Sequence, residues 1–265
     1  MKTSLVKVGR KMKLSISRIK LFKACRRAYE LKYVEGLEPV KTADALQTGL
    51  KYHDLIEELY SNDGDLSLYD GQYSKELAMV TAYRKYIYPK FNVRACEEWS
   101  SYNLMSGDTL IGRLDGIADD GRIVEHKTTS ADITEEYEYS LQWDEQMLAY
   151  MLMTGAREIY YTVCKRPTIR QKKNESDEEF FSRMVAWYDE DTETKIRVML
   201  ISRTDDEVME FLDAVEKMAV EMRSDHYYRN TTFCKHWGRM CDYAPICLHY
   251  NPDEECIGFT RKEAM

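Results

Sequence analysis

Two short β-rich segments joined by a tight turn constrain this chain more than any other feature. Thr109–Ala118 and Arg122–Lys127 flank Asp119-Asp120-Gly121, and that arrangement predicts an antiparallel hairpin. Asn92–Tyr102 reads as a strand immediately before it, so three strands in succession form a β-meander. Glu158–Lys165 (Glu-Ile-Tyr-Tyr-Thr-Val-Cys-Lys) is short, apolar and β-rich, as a buried strand should be, and Lys195–Ser202 is a further strand candidate.

Helical segments bracket the meander. Ser17 is placed to cap a helix running to about Tyr33, with Ile19, Phe22, Cys25 and Tyr29 near one face and Gly36 and Pro39 at its end. Ala43–Ser61 and Ser74–Lys90 read as the next two helices, broken at Asn62-Asp-Gly-Asp65. Glu135–Thr154 follows the hairpin, and a short helix at Glu178–Tyr188 interrupts the polar stretch Pro167–Asp191. Thr204-Asp-Asp-Glu207 is a capping box, behind which Val208, Phe211, Leu212, Val215, Met218 and Met222 keep helical spacing to about Ser224. The tail after Asn230 has little regular pattern. Helices, then a meander, then helix, strand, strand and helix make an α/β fold with a mixed central β-sheet flanked by helices.

The charge is divided unevenly. Residues 1–33 carry eleven Lys/Arg and one acid (+10), whereas the remaining residues carry 27 basic and 45 acidic side chains (−18), for a net charge of −8. A basic arm on an acidic body suits a local anionic partner; Met1–Lys13 alone is equally well read as a solvated tail. No stretch reaches the ~20 apolar residues of a membrane span, and the start of the chain lacks an apolar signal region. Seven cysteines without such a signal fit a reducing, cytoplasmic compartment rather than a disulfide framework.

The hairpin carries chemistry. Glu125 and Lys127 are two apart on one strand, so they share a face, and the turn folds Asp115 back beside them. Two carboxylates with an ammonium make a hard-cation site suited to Mg²⁺, and a bound divalent ion there would activate water and neutralise phosphoryl charge. A surface salt bridge between Glu125 and Lys127 is the bland alternative, but Ile123 and Val124 mark a buried strand, where an idle charged pair is expensive.

Gly112-Arg-Leu-Asp115-Gly-Ile followed by Ile123-Val-Glu125-His-Lys127-Thr-Thr resembles the D-(x)n-(D/E)xK signature of the PD-(D/E)XK nucleases, and more closely their RecB-like exonuclease branch. Gly49-Leu-Lys-Tyr-His53 resembles the branch's Gly-x-x-x-His stretch, and Gln146-Met-Leu-Ala-Tyr150 its Gln-x-x-x-Tyr motif; all occur in the family's order. The resemblance implies a restriction-endonuclease-like core. It makes His53, Asp115 and Glu125 metal ligands with the backbone carbonyl of His126, and places Lys127, Gln146 and Tyr150 in the catalytic set. The nitrogen ligand favours tolerance of Mn²⁺ beside Mg²⁺. Core packing is the plainer account of His53 and Tyr150, and solvent exposure that of Gln146. Glu97 or Glu98, one strand earlier, is a further acidic candidate.

Cys234, Cys241 and Cys247 follow the last long helix, and Cys25 lies 209 positions before Cys234. Their spacing does not match the C-x₂₋₄-C pairs usual for zinc. A subset of RecB-like nucleases (AddB-type and CRISPR-associated) carries a [4Fe–4S] cluster held by one cysteine of the first helix and three near the C-terminus. Ser15-Ile-Ser17…Cys25-Arg-Arg-Ala-Tyr29 and Cys241-Asp-Tyr-Ala-Pro-Ile-Cys247 resemble that pattern, which implies Cys25, Cys234, Cys241 and Cys247 as ligands. The longer spacer between Cys234 and Cys241 leaves Cys256, His236 and His249 as substitutes, and zinc as the rival metal. Cys96 and Cys164 lie in predicted strands and read as small core residues.

The implied organisation is one nuclease domain over residues 1–265. It has a helical part (1–90), a catalytic meander and helix (91–165), a polar insertion with a strand (166–203) and a C-terminal helix with the cysteine segment (204–265). The implied activity is metal-dependent hydrolysis of DNA, as an exonuclease on single strands or duplex ends in recombination, repair or phage DNA metabolism. Arg18, Lys20, Lys23, Arg26 and Arg27 on the first helix would bind phosphates without reading sequence. Any of the twenty tyrosines could stack on bases. No G-x-x-x-x-G-K-[ST] loop is present, so a helicase or recombination protein would be a separate partner, and a homo-oligomer would suit processive action. Two readings of other classes compete: a non-catalytic DNA- or protein-binding module, and a structural zinc protein with incidental carboxylates.

Overall fold

A computed structural model describes residues 11–40, 44–224, 226–236, 238–252, 254 and 256–262. The first ten residues of the basic arm, and Ala43 at the start of the second helix, lie outside the described residues. The chain forms two compact units, one of residues 44–100 and 113–208, the other of 1–43, 101–112 and 209–265. Among the described residues no helix is long and apolar enough to cross a membrane.

The strands among the described residues are β1 (Lys13–Leu14), β2 (Leu37–Pro39), β3 (Val93–Asn103), β4 (Thr109–Ala118), β5 (Ile123–Thr129), β6 (Glu158–Lys165), β7 (Ile196–Ser202) and three short C-terminal ones, β8 (Lys235–His236), β9 (Arg239–Met240) and β10 (Phe259–Arg261). The main sheet runs β1-β4-β5-β6-β7, with β3 also on β4. Pairing is parallel for β1/β4 and β5/β6 and antiparallel for β4/β5 and β6/β7, so the sheet is mixed as expected.

In the first unit the sheet separates two cores, and β6 shows why. Ile159, Tyr161 and Val163 pack with Met147 and Met151 of the Glu145–Thr154 helix, whereas Cys164 joins Tyr52, Leu59, Met79, Tyr83 and Tyr188 from the Asp44–Ser61, Lys75–Tyr86 and Asp177–Glu190 helices. A strand with apolar residues at both parities must be covered on both faces. Gly116 of β4 sits where a Cβ would lie 3.0 Å from Val93 Cγ1 and 3.4 Å from Val124 Cβ, so glycine lets three strands close around it.

Three helical expectations need correction. Ser15, not Ser17, caps the first helix: its side chain accepts from Arg18 N, and the helix spans Ile16–Ala24. It does not run on to Tyr33, because Cys25 is extended (φ −161°, ψ 112°) and the chain restarts as a short turn at Arg26–Tyr29 followed by a π-turn at Glu30–Val34. The predicted Glu135–Thr154 helix is two helices, Glu135–Ser140 and Glu145–Thr154. Between them lie a 3₁₀ turn at Leu141–Trp143 and Asp144, whose Oδ1 caps the second helix at Gln146 N. The third helix ends at Tyr86, before a 3₁₀ turn holding Pro89.

In the second unit the C-terminal segment is more ordered than its sequence suggested. Phe259–Arg261 pairs antiparallel with β2, and Tyr243 donates its hydroxyl to Leu37 O at 2.9 Å. Gly36 makes this closure possible: its φ is +70°, and a Cβ there would lie 2.3 Å from the backbone oxygen of Lys262. Gly36→Ala is expected to destabilise the protein by about 1–3 kcal/mol, from the left-handed backbone and the clash together. Chemical denaturation of the variant measures this directly.

Candidate active site

The site forms where β4 and β5 part. Their ladder closes at Gly116↔Val124 and Ile117↔Ile123. One step further, Asp115 does not continue it with backbone; its side chain takes the place of a strand, accepting the His126 N–H on Oδ2 at 2.8 Å. Asp115 is thereby fixed while Oδ1 faces the Asp44–Ser61 helix, where His53 Nδ1 lies 3.5 Å away. Glu97 reaches the same place from β3, with Oε1 3.9 Å from His53 Nδ1. Among the described residues, His53, Glu97 and Asp115 are the one group whose ligand atoms all lie within 4.8 Å of one another.

Glu97 gets there by strain. Its φ is +54°, a left-handed conformation inside a strand that side-chain-bearing residues rarely adopt. The kink breaks the in–out alternation of β3 and turns the carboxylate inward, leaving Glu98 and Trp99 both exposed. The Arg113 guanidinium pairs with Glu97 Oε2.

Glu125 and Lys127 follow Ile123 at period two. Glu125 is 1% exposed and gives Oε1 to the Lys127 ammonium, while Oε2 is buried with no hydrogen-bond partner. Lys127 also donates to Gln146 Oε1 at 3.0 Å. Gln146 Nε2 donates to the Tyr150 hydroxyl at 2.8 Å, and that hydroxyl donates to Arg113 O at 2.7 Å. Gln146 and Tyr150 are one turn apart on their helix, so the Gln-x-x-x-Tyr spacing links the lysine to the backbone of β4. The side chain of His126 points the other way. It shares a 2.7 Å hydrogen bond with Thr162 Oγ1 through Nδ1, and its ring lies 5.4 Å from that of Tyr83.

The charges are set by competition. Burial pushes the Glu125 carboxyl up to about 8, with the Asp115 charge acting the same way and Lys127 against it. Burial is the largest influence on Asp115 and opposes its charge, but the His53 bond together with the charges of His53, His126 and Lys127 outweighs it and holds that carboxyl at about 2. Burial would lower His53 and Lys127; the bond to Asp115 raises the first, and the charge of Glu125 raises the second. Burial pushes the ring of His126 down to about 3, so it is neutral.

A family model for the PD-(D/E)XK nuclease superfamily matches residues 13–248. The chain belongs to that superfamily. Several solved structures resemble this nuclease. A candidate exonuclease from Eubacterium rectale has 13% identity, with 92% of this chain and 90% of that one covered at a TM-score of 0.50, and shares the fold. An alkaline exonuclease from Laribacter hongkongensis has 14% identity over 69% and 72% of the two chains (TM-score 0.34). A phage-related exonuclease from Haemophilus somnus 129PT has 16% identity over 75% and 92% (TM-score 0.37). No curated protein matches the chain.

Nucleases of this superfamily use divalent metal ions, and the donor set fits one. It offers an imidazole nitrogen and the carboxylate oxygens of Glu97 and Asp115; Glu125, predicted as a ligand, lies outside that group of atoms, with its desolvated Oε2 unpartnered. A metal ion binds the deprotonated carboxylate, so ion binding should release a proton from Glu125. With the folded value near 8 and the ordinary one at 4.5, the metal-free protein is expected to lose stability as pH rises from about 4.5 to 8. Mn²⁺ affinity should rise over the same window. Thermal melts in chelator and Mn²⁺ titrations at pH 6 and 8.5 measure both effects, and Glu125→Gln is expected to flatten both.

The remaining predicted positions fall in the other unit. All seven cysteines are free thiols. Cys25 is buried with Ala28, Leu31, Leu37 and Tyr243, and Cys241, Cys247 and Cys256 pack against that group. Cys25 Sγ accepts from Asn230 N at 3.4 Å, Cys234 Sγ lies 3.9 Å from Asn230 O, and Cys241 N donates to Cys234 O at 2.9 Å. Sequence-distant thiols therefore gather around one short segment. His236 instead bonds Phe233 O and stacks on its ring. The basic segment from Arg18 to Arg27, which runs past the end of the first helix at Ala24, is partly neutralised. Arg26 pairs with Glu221 at 2.6 Å, Arg27 pairs with Glu30, and Arg18 lies over the Tyr33 ring; Lys20 and Lys23 are on the surface and also have partners. Sequence reasoning missed Arg113 and held Glu97 only as one of two acids. Adjacent glutamates in a strand, where alternation can bury only one, were the available signal for Glu97.

Proposed function

We propose that this nuclease is an exonuclease of the RecB-like branch that hydrolyses DNA from single strands or duplex ends, with Mn²⁺ or Mg²⁺ held by His53, Asp115 and Glu125. The observation that carries the reading is the His53/Glu97/Asp115 cluster at the parting of β4 and β5, with the Lys127–Gln146–Tyr150 chain on the next strand and helix. We add Glu97 to the ligand set on the distances to His53 and Asp115. The His126 carbonyl follows Glu125 at the same edge and remains a fourth oxygen donor in this proposal.

A bound divalent ion supplies charge neutralisation at the phosphate and an acidified water. The chain's own residues do the rest. Where a bound ion keeps Glu125 ionised, the Glu125 charge holds the proton on Lys127, so the lysine orients the attacking water and stabilises charge on the phosphoryl oxygens rather than acting as a base. Gln146 fixes the ammonium from the helix side, and Tyr150 fixes Gln146. Asp115, anchored on the His126 N–H, stays ionised at any working pH.

In the second unit, Cys25, Cys234, Cys241 and Cys247 would hold a [4Fe–4S] cluster, with Cys256 at the same core as the substitute ligand. What supports this reading is that Cys25, Cys241, Cys247 and Cys256 share one apolar group, with Cys234 O accepting from Cys241 N at 2.9 Å. Lys20, Lys23, Arg18, Arg26 and Arg27 would contact phosphates.

The test is protein purified without oxygen and given end-labelled single- and double-stranded DNA with Mn²⁺ or Mg²⁺, beside Lys127→Ala. Metal-dependent release of nucleotides by the wild type alone supports the reading. Equal digestion by both proteins counts against it.

A further inference from the structure

We propose that Arg113 is a phosphate-gripping residue of this site, holding a phosphate of the nucleic-acid strand next to the one being cleaved. The proposal rests on the nuclease reading above. It goes beyond that reading in assigning a binding role to a residue outside the metal and lysine set.

Four observations converge on it. Arg113 is two residues before Asp115 on β4, with buried Leu114 between them, so both side chains leave the strand on the same side. Two residues of strand span roughly 7 Å, which puts Arg113 beside the metal-ligand cluster rather than in it. Its side chain is 52% exposed, while that of its partner Glu97 is 13% exposed, so the pair has a buried end and an open end. Glu97 Oε2 faces the guanidinium at Nε as an ion pair without a hydrogen bond, so the guanidinium is held by charge and its η-nitrogens lie towards the open end of the pair. The planar fork that suits a phosphate is therefore open on its outer edge.

The anchoring is also specific. The Arg113 carbonyl accepts from Tyr150, whose hydroxyl is tied through Gln146 to Lys127. Its guanidinium is steered by a glutamate held in a left-handed conformation. An arginine whose backbone is hydrogen-bonded and whose guanidinium is steered by a fixed carboxylate loses less freedom on binding a ligand, which is what a pre-organised anion contact requires. The ligand class is a phosphodiester of a polynucleotide. A neighbouring phosphate is favoured because Asp115, Glu97 and His53 occupy the position of the cleaved one.

The experiment uses the full chain with wild type, Arg113→Ala and Arg113→Lys in the cleavage assay. A non-cleaving background (Lys127→Ala, with and without Arg113→Ala) is used to measure binding of a labelled single-stranded oligonucleotide against salt. Loss of one charge-assisted fork is expected to raise KM about tenfold or more, exceeding any fall in kcat. The slope of log K against log[salt] should shrink by about 0.7, the share of one single-strand phosphate. Arg113→Lys keeps the slope but recovers KM only in part, because it retains the charge and loses the fork. An unchanged KM and slope in Arg113→Ala would overturn the proposal. So would a KM rise that comes only with lost Mn²⁺ binding, since Arg113 would then merely prop Glu97. If the wild type cleaves nothing, the nuclease reading falls on its own, and the salt slope still decides whether Arg113 grips a phosphate.

Discussion

Lys127→Ala is expected to lower metal-dependent cleavage by about 10³-fold, the scale of removing a pre-organised charged donor from a transition state. The lysine is placed to matter at two moments. In the resting site it is the partner of Glu125 Oε1, and Glu125 is almost wholly buried. Removing it leaves that carboxyl with burial and Asp115 both favouring the protonated form, so the value near 8 moves further up. Metal binding then weakens as well. Saturating Mn²⁺ separates the two effects, because it restores whatever was lost through affinity and leaves the loss in chemistry. The alanine variant should keep its melting temperature within a few degrees at pH 6, where Glu125 carries its proton and no buried charge is stranded. A fall in melting temperature as large as the loss of the fold itself would mean that the lysine is structural. Asp115→Asn is the companion change. It keeps an acceptor for the His126 N–H but removes the charge beside His53, so cleavage should fall with the strand geometry intact.

Much of this site was legible from residue order because its chemistry follows strand and helix periods. Glu125 and Lys127 share a face at period two, Gln146 and Tyr150 at one helical turn, and the Asp119-Asp120-Gly121 turn returns Asp115 to their side. β6 was readable because a strand apolar at both parities has to be buried on both faces. The Thr204 capping box was readable because its donors and acceptors are local: Thr204 N to Glu207 at 2.7 Å, and Glu207 N to Thr204 at 3.2 Å.

What stayed hidden depends on distant partners or on single backbone angles. Nothing in the helical pattern of residues 16–33 shows that Cys25 is extended; its place opposite Asn230 and the C-terminal cysteines decides that. Asp144 splits one predicted helix in two because a good N-cap competes with helix continuation, and the split is what aims Gln146 at Lys127. Glu97 enters the cluster through one positive φ that no propensity anticipates. The basic segment around Arg26 looked more cationic in sequence than it is in the fold, because Glu221, far away in the chain, pairs with Arg26.

Cys241→Ser is expected to lose the bound iron and to lower the melting temperature by roughly 10 °C. The physical reason is chain closure. A cross-link joining Cys25 to Cys241 closes a loop of more than two hundred residues. The chain-entropy estimate for such a loop is about 5 kcal/mol, of which native strain and unfolded-state structure remove a part. About 3–4 kcal/mol then corresponds to roughly 10 °C in a protein of this size. Serine is close in size to cysteine but a poor ligand for iron, so the loss measures ligation rather than packing. Cys256→Ser separates the substitute ligand from the proposed four, because iron and melting temperature should both survive it. Cys164→Ser is the internal control. That thiol is fully buried in the other unit, where it contacts the Tyr188 hydroxyl at 3.4 Å, so its loss should leave iron content unchanged. Iron and sulfide analysis with a visible absorption spectrum reads all three variants. Full iron content in Cys241→Ser would remove that residue from the ligand set. Zinc in place of iron in the wild type would remove the cluster and leave the nuclease site as it stands, since His53, Glu97 and Asp115 draw nothing from the cysteines.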